Sequence, residues 1–380
     1  MLPSDGEIEV GFRHDTAIAG CARPVVADEA VGKQTRMPRR AGLGFRMPAE
    51  RRQGQARNRL KEIYRPIRAG LRRMELALAA LARDRSEFIR PMAQYLLRRQ
   101  GKRVRAALVL ISSWAGRTPS AMAPRLAAIL ELIHAASLIH DDIVDGAAMR
   151  RNQPSLHVIW GNRMSVLMGD YMVVQGLGLL AERFPMSVTA ELADAAKRLC
   201  EGEIEETDMA YRATMSVERY LRIIGNKTAA LMASACVSGA MISGSSRGVC
   251  RALSGYGYSL GMAFQLVDDV LDYAGEEGQV GKPLRADLAG GRFTIPVLHI
   301  RSVMGEAEGR RLERLLKPSS LSNGGAARVA ALVRERGGLA YTERLAKMYV
   351  DRAVASLSGL PGVVRGPLED LAAYALERRN

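Results

Sequence analysis

The sequence predicts an all-α fold, a single large helical bundle around a central cavity, and three observations predict it. Ala, Leu, Met and Arg dominate long segments, while aromatic residues make up only 5% of the chain and alternating β-branched runs are scarce. From Asn58 apolar residues recur at steps of three or four, through Leu60, Ile63, Ile67, Leu71, Met74, Leu78 and Leu81. Two distant stretches, LIHDDIVD and QLVDDVLD, each follow an apolar run and carry carboxylates four residues apart. That spacing puts two side chains on one face only if the backbone is helical.

The chain has 380 residues, 48% of them apolar, enough for one large buried core. Residues 1–56 show no sustained apolar period and read as a flexible basic extension, leaving residues 57–380 as the helical domain. The net charge of +15 suggests nucleic acid until it is located: fourteen Lys or Arg against two Glu fall between Lys33 and Arg73. No aromatic stacking pattern accompanies them, so no nucleic-acid partner is expected. The four cysteines (Cys21, Cys200, Cys236, Cys250) have no short paired spacing, which excludes a zinc module or disulfide scaffold and fits a reducing cytoplasm. No stretch reads as a signal peptide or as a bilayer span, so at most a peripheral membrane contact is expected.

In order, Pro66 should kink or restart the first helix. The loop RRQGKRVRAALVL then places Gly101, Lys102, Arg103 and Arg105 before an apolar helix over 106–113. Amides and cations at a helix start suit an anion. A core helix over 122–148 carries Asp141, Asp142 and Asp145, with His134 two turns earlier on roughly the same face; alone, such a histidine reads as a core residue. After a break at Trp160-Gly161-Asn162, a buried helix over 163–180 contains Asp170, read as structural. The helix over 191–211 holds Glu201, Glu203, Glu205, Glu206 and Asp208, read as a largely solvated face. The segment 217–243 is interrupted at Gly225-Asn226-Lys227-Thr228, which would present an ammonium and a hydroxyl to the cavity. Asp268, Asp269 and Asp272 follow on a further helix, then a Gly-rich segment with Lys282, Arg285, Asp287 and Arg292 that reads as a lid. Helices starting near Glu306, Ala326 and Gly338 complete the chain.

Two acidic triplets on separate helices suggest two walls of one cavity holding several hard divalent ions. Oxygen ligands without His or Cys favour Mg²⁺. Cationic loops beside such a site point to a polyanionic, phosphorylated substrate.

With these residues placed, the chain from about Asn58 onward resembles the trans-isoprenyl diphosphate synthases, or polyprenyl synthetases. The resemblance rests on GKRVR, IHAASLIHDDIVDGAAMRRNQPS, GNKT, FQLVDDVLD and GKPLRADLAGGRFTIP in that order. It implies that Lys102, Arg105, His134 and Arg151 bind isopentenyl diphosphate, and that Arg150, Lys227, Thr228, Gln265, Lys282 and Arg292 serve the allylic diphosphate. Asp141, Asp145 and Asp268 would be the main Mg²⁺ ligands, three ions per site, with Asp142, Asp269 and Asp272 assisting. Ala106, Asn152 and Arg292 depart from the usual Pro, Gly and Lys, and none removes a charge. The reaction implied ionises an allylic carbon–oxygen bond against Mg²⁺ and cations. The alkene of isopentenyl diphosphate then adds head-to-tail, and a proton passes to the released diphosphate. A terpene cyclase would carry a different second metal motif, and a non-catalytic prenyltransferase subunit would tend to lose carboxylates.

The resemblance also implies a homodimer, and a growing tail that runs back along the first acidic helix. Ser137 and Ala136, four and five residues before Asp141, are too small to act as a floor, and Ile133 and Leu132 narrow the path a turn further on. A long product of heptaprenyl to decaprenyl length, as in quinone side chains, is therefore expected, with a short-chain farnesyl or geranylgeranyl product as the alternative.

Overall fold

The computed structural model describes residues 58–377 apart from 82, 84–85, 98–100, 117, 152 and 275–285, all within a compact unit spanning residues 47–380. The expectations placed on residues 1–56, Asn152, Lys282 and Arg285 lie outside the described residues.

The helices are α1 (Arg68–Leu81), α2 (Ile89–Leu97), α3 (Val104–Ser112), α4 (Ala123–Val144), α5 (Leu156–Arg183), α6 (Met186–Asp208) and α7 (Val217–Ile224). A π-helical turn, Gly225–Ala229, joins α7 to α8 (Ala230–Ile242), followed by α9 (Arg247–Ala274), the short α10 (Ala286–Ala289) and α11 (Ile295–Val303). The longer helices of the rest are α12 (Glu306–Leu315), α13 (Ala326–Glu335), α14 (Gly338–Ser356) and α15 (Gly362–Glu377), with a short helical turn Pro318–Ser320 and a second π-helical turn Leu321–Gly325 before α13. Pro66 lies in the turn 64–67 that precedes α1, since a proline in mid-helix would remove one backbone bond and clash with the preceding turn. Among the described residues the only strands are two residues each: Met149–Arg150 pairs antiparallel with Gln153–Pro154.

α4 packs against α1, α3 and α5, α3 against α8, and α9 against α8 and α14. α6 and α9 both pack on the π turn. One apolar core gathers α1 to α6, α8, the first half of α9, the end of α14 and α15; a second gathers α7, the acidic half of α9 and α11 to α14. α4 is apolar nearly all round, as a helix with neighbours on every side must be: Leu126, Leu130, Leu132, Ile133, Ala136 and Ile139 are all buried.

α5 overturns two expectations. Its 28 residues are long and apolar enough to cross a membrane by length and composition, although only 33% of its most apolar window is buried. The break expected at Trp160-Gly161-Asn162 is present, with Gly161 at φ 77° and ψ 162° interrupting the helix after its first turn. The helix expected to be buried is buried on one side only. Val158, Ile159, Leu167 and Val174 are 46–69% exposed, and Asp170 is exposed too, with its carboxylate 3.4 Å from His140 Nε2.

Candidate active site

The start of α3 and the short hairpin after α4 build a cationic cradle. Arg103, at φ 51°, turns the chain into α3, and Tyr64 Oη donates to the Lys102 carbonyl at 2.9 Å. Arg151, held at φ 53° in the hairpin, lays its guanidinium over Gly101. A Cβ on Gly101 would sit 2.9 Å from Arg151 Nη1, so a side chain there would push the guanidinium aside.

Arg105 Nη1 donates to His134 Nε2 at 2.9 Å, which leaves the His134 proton on Nδ1. Burial, then the charges of Arg105, Arg151 and Arg150, push His134 well below the ordinary histidine range, so the ring is neutral. Burial also lowers Arg105; Glu131 opposes this, Arg151 reinforces it, and Asp141 and Asp268 oppose it. Both acidic motifs therefore act on one guanidinium. Arg105 Nε and His134 Nδ1 are buried without a hydrogen-bond partner among the described residues. Two buried N–H donors, one on each member of this pair, want an acceptor.

The acidic walls come from the ends of two helices. Asp141 lies in the last turn of α4, and burial raises its carboxyl to about 7, with Glu203 and Asp145 adding repulsion and Lys227 and Arg150 opposing. Asp142 is buried and pairs with Arg150 across the hairpin at 2.5 Å. Asp145 ends α4 and pairs with Arg292, which also binds Asp287 at 3.1 Å. Arg292 thus ties the segment after α9 to the end of α4.

On the far side, the π turn widens the helix at the position where the sequence placed an interruption. It brings Thr228 Oγ1 to Gln265 Oε1 at 3.1 Å and Lys227 Nζ to Glu203 and Glu206 at 2.6 and 2.5 Å. Gly202 makes this approach possible, because a Cβ there would stand 2.6 Å from the Lys227 backbone nitrogen.

Two readings are corrected by these contacts. Glu203 and Glu206 are not a solvated face: with side chains 15% and 17% exposed, they grip Lys227, and their spacing of three residues was the signal for a shared face. Asp269 does not face the ions as an assisting ligand. It is fully buried and accepts from Tyr220 Oη at 3.0 and 2.9 Å and from Gln265 Nε2 at 3.2 Å, so it fixes Gln265, which in turn accepts from Thr228. Asp142 is engaged by Arg150, as Asp145 is by Arg292. Among the described residues no three His, Cys, Asp or Glu side chains are gathered into a ligand set. Asp268 and Asp272 stand on α9, one turn apart and half-buried. Sequence reasoning also missed Glu131, which sits inside an apolar run, and Tyr220, whose partner Asp269 lies on another helix.

Ala136 is completely buried, Ile133 packs against Gly176 of α5, and Ser137 Oγ donates to the His134 carbonyl at 2.9 Å. One turn below Ala136, Leu132 lines an apolar cleft with Leu81, Leu97, Met168 and Met172.

Comparison with known proteins decides the family. The Polyprenyl synthetase model matches residues 86–333, about two thirds of the chain. The chain belongs to the polyprenyl synthetase family. "Heptaprenyl diphosphate synthase component 2" of Geobacillus stearothermophilus is 34% identical to it over 84% of this chain and 99% of that protein. Among solved structures, a polyprenyl synthase from Caulobacter crescentus complexed with calcium and isoprenyl diphosphate matches at 34% identity and a TM-score of 0.76, covering 85% of this chain and 98% of that one. A decaprenyl diphosphate synthase from Rhodobacter capsulatus matches at 33% and 0.77, covering 84% and 99%. This polyprenyl synthetase is accordingly an all-α prenyltransferase.

Proposed function

We propose that the protein condenses isopentenyl diphosphate head-to-tail onto an allylic diphosphate in a Mg²⁺-dependent reaction, giving an all-trans product of heptaprenyl to decaprenyl length. The observation that carries the reading is the pair of buried, unpartnered donors, Arg105 Nε and His134 Nδ1, beside Arg151 and next to the two acidic motifs. The two donors and Arg151 receive the diphosphate of isopentenyl diphosphate. Lys227, Thr228 and Gln265 hold the allylic diphosphate against the opposite wall.

The donor set suits Mg²⁺: oxygen only, with Asp141 buried, and pressed further by Glu203 and Asp145, until its ionisation is costly, a state that a divalent cation relieves. Asp141, Asp145 and Asp268 would hold three ions between them, with Asp142 and Asp272 assisting. When bound, the ions supply electrophilic pull on the departing diphosphate. Lys227 adds a fixed ammonium there, and the buried faces of α4 and α9 keep water from the allylic cation. Incubation with labelled isopentenyl diphosphate and farnesyl or geranylgeranyl primer, followed by product sizing, tests the reading. Products of thirty-five to fifty carbons support it, a product of fifteen or twenty carbons favours the short-chain alternative, and no Mg²⁺-dependent incorporation refutes the reaction.

The exposed apolar side of α5 fits a second copy of this chain, giving a homodimer. The name of the Geobacillus relative raises a different second subunit as the alternative. Light scattering of the purified chain separates the two, an active dimer alone favouring the homodimer. A cytoplasmic location, proposed from the cysteine spacing, is tested by cell fractionation.

A further inference from the structure

The loop carrying Lys102 and Arg105 is held in a conformation that its own residues resist. Arg103 stands at φ 51°, where a side chain costs roughly 1 kcal/mol relative to the right-handed region. No side chain of its own caps α3. The bonds that hold the turn come from Glu131, a residue 6% exposed in the middle of α4.

One carboxylate oxygen of Glu131 accepts from Arg103 Nη1 at 2.9 Å, and the other accepts from the Ala106 backbone N–H at 3.2 Å. That N–H is one of the amides that the first turn of a helix leaves without an internal partner. Glu75 of α1 grips the other edge of Arg103, at 2.7 Å to Nε and 3.2 Å to Nη2. Glu131 is also the largest charge opposing the desolvation of Arg105. It lies three residues before His134 on α4, so one side chain ties the start of α3 to the helical turn that carries the histidine.

We infer that Glu131 is a positioning residue for the second substrate: by fixing the turn at Arg103, it aims Arg105 Nε–H and His134 Nδ1–H at one diphosphate. This rests on the assignment of that cradle to isopentenyl diphosphate. Glu131 itself does not reach the ligand, because both its oxygens are engaged. Its effect is therefore confined to one of two substrates, which distinguishes it from a residue that only holds the core together.

The test is Glu131→Gln, which keeps the shape and an acceptor for Ala106 N–H but removes the charge from Arg103. KM for isopentenyl diphosphate should rise about tenfold or more, the loss expected for a charge-assisted bond. KM for the allylic diphosphate should stay within about twofold, since Lys227, Thr228 and Gln265 belong to other elements. Glu75→Gln, at a side chain 45% exposed, loosens the same clamp from outside and should move the same KM by a smaller factor without threatening the fold. If Glu131→Gln is not recovered folded, the Glu75→Gln result decides alone. Equal rises in both KM values, a fall in kcat only, or a lower Tm with both KM values unchanged would overturn the inference. Arg105→Gln separates it from the site assignment. If that variant leaves KM for isopentenyl diphosphate unchanged, the cradle itself is misassigned; if it raises KM and Glu131→Gln does not, only the role of Glu131 fails.

Discussion

At Asp141 the physical conflict of the site is concentrated in one carboxyl, buried at the end of α4 among Glu203, Asp145, Lys227 and Arg150. Its folded value of about 7 lies above the roughly 3.9 of an exposed aspartate. Between those two values the folded chain keeps a proton that the unfolded chain has lost, so this group favours folding at low pH, and that contribution disappears as pH rises through 7. Burial raises Asp269 and Glu206 as well, with the same sign. In chelator, the Tm advantage of Asp141→Asn over the wild type should widen from pH 5 to pH 7.5. Mg²⁺ should raise the wild-type Tm more at pH 7.5 than at pH 5. A constant difference between the two proteins across that range would contradict the burial of Asp141. In turnover assays, Asp141→Ala and Asp268→Ala should each lose about a hundredfold or more, with far-UV circular dichroism unchanged, because each removes a charge from the site and leaves the core alone. Either variant retaining near-normal turnover would exclude its helix from the reaction. Ala136→Tyr puts a ring into a fully buried position one turn above the Leu132 cleft. The product should shorten to about fifteen or twenty carbons by chromatography of the dephosphorylated chains, since the tail is stopped by the filled volume. An active variant with an unshortened product would show that the tail does not pass Ala136.

Among the elements, the π turn depends most on its neighbours. GNKT reads in the sequence as an interruption, and a flexible kink would satisfy that reading. The structure instead has a hydrogen-bonded wide turn whose backbone touches Gly202 of α6. Gly202→Ala should therefore separate α6 from Lys227, because the obstructing atoms are backbone and cannot move by changing rotamer. The expected result is a loss of about 1–3 kcal/mol in stability together with a fall in turnover larger than that loss explains. Urea unfolding and steady-state kinetics on the same preparation would check it, and unchanged turnover would show that Glu203 and Glu206 do not set the ammonium. The position of α4, and hence of its acidic end, was legible because the stretch before Asp141 is apolar on every face and so can be covered by neighbours on all sides. The grip of Glu203 and Glu206 on Lys227 was not, since nothing in one helix's sequence states which face its neighbour covers.

For the whole molecule, every residue assigned to the site lies between Lys102 and Arg292, so removing residues 1–56 should leave turnover and Tm nearly unchanged. A truncated protein that is soluble and inactive would contradict this. The exposed apolar side of α5 predicts self-association: Leu167→Glu with Val174→Glu should shift light scattering from dimer to monomer, because two charges at a buried apolar interface are costly. A chain that is monomeric and fully active before mutation would rule out the homodimer. α5 is also where composition misleads most. Its length and hydropathy satisfy the requirement for a bilayer span, yet it packs along α4 and carries a kink at Gly161.

The sequence by itself determined the all-α class, the two acidic helices, the cationic turn before α3 and the break at 225–228. All of these follow from local period and residue chemistry, which a single chain segment carries within itself. Only the tertiary structure decided which carboxylates serve other side chains. Asp269 turned inward to Tyr220 and Gln265, Glu203 and Glu206 closed on Lys227, and Glu131 was found to hold the Arg103 turn. A carboxylate's role depends on the charge and burial that meet it from other helices, and those helices lie tens of residues away in the chain.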